Sequence, residues 1–150
     1  MISNIFFLGF CLTEPNAKYT CLGLTIQAIG ESIESCIQML DDLSDFTSSN
    51  KAQISQKNII ISYLHGTCTK KEREQLDSNF DIEYINNLIH KYKIKNIILE
   101  YVKSKIFFTK NSRDILERAN QDYCADFNRF LNEIFKVHFQ KCGLTYANMF

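Results

Sequence analysis

The stretch IKNIILEYVKSKIFFTK, residues 94 to 110, decides the fold class. Its first half, IKNIILEY, is an apolar run of strand length, and VKSKIFFTK is either its continuation or a further strand, since no Gly or Asn-Gly marks a hairpin turn between them. Upstream, KNIIISYLHG (57–66) has the same character, with apolar residues on both alternating faces and His65 at its carboxyl end. Between the two lie helical signals. Thr69 followed by Glu72 has the spacing of a capping box, and behind a capping Asp81 the residues Ile82, Ile85, Ile89 and Tyr92 fall on one helical face. Strand, helix, strand predicts a right-handed crossover between parallel neighbours of one sheet.

Working outward, IFFLGFCL (5–12) reads as a buried strand and TEPNA as a tight turn. YTCLGLTIQA (19–28) is then the returning strand of a hairpin, with Leu22, Leu24 and Ile26 on one face and Gly30 ending it. ESIESCIQMLDDLSDF (31–46) spaces Ile33, Ile37, Leu40 and Leu43 as an amphipathic helix, and TSSNKAQISQ (47–56) is the polar loop after it. From a capping Asn111 or Ser112 onward, Leu116, Ala119, Tyr123, Phe127, Phe130, Leu131, Ile134 and Val137 recur at helical spacing, either unbroken or with one break near Asp122. Gly143 is placed to end that helix in the left-handed conformation, with Leu144 folding back on the last turn. The expected architecture is a single α+β domain over residues 1–150. A small mixed or mostly antiparallel sheet, the N-terminal hairpin plus two or three further strands, packs on amphipathic helices, with a long C-terminal helix over 112–142 in the core.

A chain of 150 residues with 45% hydrophobic and 23% charged content is a packed globular protein able to bury roughly two thirds of its unfolded surface. Seventeen basic residues balance seventeen acidic ones, but Lys18 alone faces six acids in residues 1 to 50, so the first third is negative and the rest positive. The opening run has no basic residue before it and no small-residue cleavage site after it, so it is a poor signal peptide, and it is too short to span a bilayer. The six cysteines are expected as buried thiols without disulfides, in a cytoplasmic protein or one acting in a host cytosol if viral or delivered.

Four chemistries compete for the function. Zinc takes four nitrogen or sulfur ligands in a tetrahedron. His138 and Cys142, one helical turn apart, can face one ion, and His65 with Cys68 completes a Cys2His2 set if the last helix packs over that strand end. The spacing is not that of a zinc finger and His-x2-Cys recurs by chance, so no cofactor is expected. A strand ending in His65-Gly66 before a crossover to NIILEY resembles the layout of caspase-like peptidases, which implies a catalytic Cys at the end of the next strand. Glu100 and Tyr101 hold that place, and phosphate-loop, nucleophile-elbow and metalloprotease signatures are absent, so an enzyme is not expected. For nucleic acid, Lys91, Lys93, Lys95, Lys103 and Lys105 interleave with Tyr92, Tyr101, Phe107 and Phe108; the same lysines serve equally as guards on an edge strand. What remains is a non-catalytic protein-binding module, most concretely a small inhibitor or immunity-type protein that neutralises an enzyme or toxin. Glu34, Asp41, Asp42 and Asp45 would then meet a basic partner.

Overall fold

Among the described residues of the computed structural model, 20–47, 57–78, 81–112 and 121–144, there is no strand. Side chains are described at 24–47, 57–78, 81–109, 112 and 129–144. The fold is all-α, and the expected α+β class is overturned.

Helix α1, Thr20–Ser44, runs straight through the expected strand 19–28 and through Gly30, which is buried inside it. Ile26, Ile29, Ile33, Cys36, Leu40 and Leu43 are all buried, at alternating steps of three and four residues. Leu22, Leu24 and Ile26 imitate a strand only because their neighbours are polar or small; the longer period continues beyond them and wins. The helical part expected over 31–46 is as read. The expected first strand, 5–12, and most of the loop 47–56 lie outside the described residues.

Helix α2, Ile59–Thr67, replaces the strand expected at 57–66. Asn58 caps it: its Oδ1 accepts from Ile60 N at 2.9 Å, and Ile60, Ile61 and Leu64 form the buried side. Helix α3, Lys70–Ser78, begins with the expected capping box. Thr69 N donates to Glu72 Oε2 at 3.0 Å and Glu72 N to Thr69 Oγ1 at 3.4 Å. Helix α4, Ile82–Lys91, starts behind Asp81 as expected and buries Ile85, Leu88 and Ile89.

The deciding stretch is helix α5, Ile94–Asn111, one element and not two strands. Ile94, Ile98, Val102 and Ile106 repeat every fourth residue and are buried. A β-branched residue loses less than about 1 kcal/mol of helix propensity relative to Ala. Burying each of these side chains returns roughly 1.5–3 kcal/mol. The local preference for strand is therefore outweighed, and the parallel crossover disappears with it. Ser112 closes this helix: its N and Oγ both donate to Phe108 O at 3.0 Å.

Helix α6, Gln121–Lys141, lies within the C-terminal helix expected over 112–142, of which residues 113–120 are outside those described. Its buried edge is Leu131, Phe135, Phe139 and then Cys142, whereas Phe130 and Val137, expected inside, are exposed. The ending is as expected: Gly143 takes φ +64, Gly143 N donates to Gln140 O, Leu144 N to Phe139 O, and Leu144 packs against the core. Helix α1, not the C-terminal helix, is the central element. Helices α5 and α6 pack along it, α2 lies against it, and α4 packs on α5.

Candidate functional site

The four acids expected to face a partner are mostly occupied within the chain. Asp42 Oδ2 accepts from Ile59 N at 2.7 Å, capping α2, while its Oδ1 accepts from Gln38 at 2.8 Å. Asp45 Oδ2 accepts from Asn58 Nδ2 at 3.1 Å; burial raises its carboxyl pKa above the ordinary range, the Asn58 bond opposes that, and the charges of Asp42 and Asp41 add to it. Asn58 Nδ2 also donates to Asp42 O at 2.9 Å, so one buried amide clasps the end of α1 to the start of α2. Asp41 Oδ1 lies 2.7 Å from His138 Nδ1 and 3.7 Å from Lys141 Nζ, tying α1 to α6. Glu34, half-buried further back, has a contact of its own.

Each candidate zinc histidine is held by a carboxylate of its own, and His138 and Cys142 meet the neighbouring residues Asp41 and Leu40 of α1. His65 Nε2 is 3.4 Å from Asp77 Oδ1, and His138 is held by Asp41. Cys142 Sγ donates to Leu40 O at 3.0 Å, and burial pushes its thiol up to about 11. Burial likewise raises Cys68, with the nearby Glu72 charge adding to it, and raises Cys36 to about 12. Among the described residues no three His, Cys, Asp or Glu side chains stand together as a metal-holding group.

Lys91 and Tyr92 converge on Glu72, the capping residue of α3. Its carboxylate accepts from Lys91 Nζ, Tyr92 Oη and Thr69 Oγ1, the last two at 2.7 Å. Led by the Lys91 bond, these donors hold Glu72 down at about 2. The buried Tyr84 hydroxyl has no hydrogen-bond partner among the described residues, and its pKa is raised by burial first and by the charge of Glu72 next.

The other lysines separate because the stretch is helical. Positions two apart share one face of a strand but lie about 160° apart around a helix. Lys103 pairs with Glu100 at 2.8 Å, and Lys105 lies over the Tyr101 ring, 5.4 Å from its centroid. No strand edge exists at this stretch for these lysines to guard. On the side of α5 turned from the core, Ile97, Phe107 and Phe108 are 42%, 66% and 43% exposed.

Lys93 and Lys95 line a cavity of about 730 Å³ where four helix ends meet. Its walls are Phe46 and Thr47 after α1, Asn86, Ile89 and His90 of α4, the corner residue Lys93, Lys95 and Asn96 of α5, and Cys142 with Gly143 after α6. No acid is among them. Lys93 has φ +53, ending α4 and opening α5 at once: its N donates to His90 O at 3.1 Å, and its O accepts from Asn96 N and Ile97 N. Neither the Asn58 clasp nor the cavity has a spacing motif that announces it. The nearest signal is the change of phase between the stripes Ile85, Leu88, Ile89 and Ile94, Ile98, Val102, which marks a corner at 92–93. No helix among the described residues is long and apolar enough to cross a membrane. Comparison with protein-family models, with curated proteins and with solved structures returns no match.

Proposed function

We propose that the protein is a non-catalytic protein-binding module, of the inhibitor or immunity type, whose contact surface is the outer side of α5. One observation carries this reading: Ile97, Phe107 and Phe108 are exposed on a helix whose opposite side is fully packed. Phe107 and Phe108, adjacent in the chain and both exposed, favour a partner that covers them. Lys103, one helical turn before Phe107, favours a partner with acids around an apolar patch. The acids of α1 that would meet a basic partner are occupied by His138, Lys141, Asn58 and the start of α2.

A second reading keeps the same surface for single-stranded nucleic acid, since exposed aromatics beside lysines stack bases and neutralise phosphates. A photo-crosslinking phenylalanine analogue at Phe107, with Ser62 of α2 as the control position, separates the two. A protein adduct from position 107 alone, lost when Phe108→Ala is added, supports the module. A nuclease-sensitive adduct favours the alternative, and adducts equal at both positions overturn the assignment of the surface.

A further inference from the structure

We propose that the cavity between the α4–α5 corner and the ends of α1 and α6 binds a small phosphomonoester, a site beyond the protein-binding surface. Three basic side chains, His90, Lys93 and Lys95, line it, with no acid among the lining residues of a chain that has as many acids as bases. Elsewhere Lys91 has Glu72, Lys103 has Glu100 and Lys141 has Asp41, while Lys105 lies over the Tyr101 ring. Among the described residues Lys93 and Lys95 have no ion-pair partner. Asp41, which acts on Cys142 from behind the wall, is itself held by His138 and Lys141.

Of the four helix ends at the cavity, the start of α5 is the positive one. The first bonds of α5 run from Asn96 N and Ile97 N to Lys93 O, so the amides of Ile94 and Lys95 precede them and carry the positive end of the helix. The carbonyl ends that converge on the cavity are capped from within. Lys141 O accepts from Thr47 Oγ1, Phe139 O from Leu144 N, Ser44 O from Thr47 N, and Leu88 O with His90 O from Tyr92 N. The side-chain charge at the cavity is cationic.

Size and lining narrow the ligand. About 730 Å³ is the volume of a site for a small organic molecule and far exceeds what one phosphate group fills. Phe46 and Ile89 supply an apolar wall, and the amides of Asn86 and Asn96 supply donors and acceptors for the body that bears the phosphate. Lys93 makes the corner with a side chain where glycine would do so without strain, so the ammonium is present against the local backbone preference.

Calorimetric titration of the full chain tests this with adenosine 5′-monophosphate, ribose 5-phosphate and inorganic phosphate, adenosine serving as the uncharged control. At least one of the two phosphate esters should saturate and bind more tightly than inorganic phosphate, and adenosine should not bind. Lys95→Gln should weaken the ester about tenfold or more, the loss of one charge-assisted hydrogen bond. Lys93→Gly should weaken it similarly while leaving Tm unchanged or raised by up to roughly 4 °C, because it removes the charge and relieves the backbone together. No saturation by either ester at millimolar concentration overturns the proposal. So does inorganic phosphate binding as tightly as the esters, or binding that both variants retain.

Discussion

The acidic end of α1 and the basic corner between α4 and α5 look alike as sequence, each a short run of like charge beside an apolar stripe, and the fold treats them in opposite ways. At Asp41, Asp42 and Asp45 every carboxylate has a partner within the chain. At Lys91, Lys93 and Lys95 one ammonium is paired and two line an open volume. The acids sit at a junction where three helices must be joined, so they serve as caps and cross-ties; the lysines sit where helix ends leave room. A charge run thus shows function only by what its neighbours leave unsatisfied.

The strongest way to break that contrast is to release the junction. Phe139→Ala removes a fully buried ring from the edge that presses α6 into the core, and roughly 3–5 kcal/mol of stability should go with it in denaturant unfolding. Asn58→Ala should cost less, about 2–3 kcal/mol, because it removes a cap and leaves Asp42 O and Asp45 without their donor. If Asn58→Ala is silent, the acids of α1 are not fixed by the fold and return as contact residues.

Glu72 tests the paired side of the corner. Its folded pKa is depressed to about 2, below its value in an unfolded chain, so the stabilisation is complete above the ordinary glutamate range and is lost as pH falls toward 2. Glu72→Gln should therefore lower Tm at neutral pH, and the gap between the two proteins should close with acidification through that window. A gap constant from neutral pH to 2 would mean that Lys91 and Tyr92 do not hold the carboxylate. Smallest of all, Phe107→Ala should change stability by no more than about 0.5 kcal/mol, as expected for an exposed site whose role is contact.

The capped helices were legible. Thr69 with Glu72, Asp81 and Gly143 each announce a helix boundary by a local hydrogen-bond pattern that the structure contains. What misled was isoleucine. NIIISYL and KNIILEYV have the composition of strands, and a run of four to eight apolar residues has no period long enough to separate strand from helix. The corrective signals were present: Asn58 is as good a cap as Asp81, and Ile94, Ile98, Val102 and Ile106 keep a four-residue repeat within an eighteen-residue helix without a turn. The site was less legible than the fold. The acids were read as surface because their partners, Asn58, His138 and Lys141, are remote or lie across a loop. The cavity draws its walls from four separate segments that no pattern in the chain links.

The tie between α1 and α6 also bears on how the chain reaches this state. His138 meets Asp41 across 97 residues and Cys142 meets Leu40 across 102, whereas the Lys93 corner closes within a few residues. Helical proteins usually fold fast because their contacts are local. Here the corner can form early, but the core is sealed only when the last described helix returns to the first. Folding should accordingly be slower than helix content suggests, and α6 is the element placed to leave first when the molecule opens.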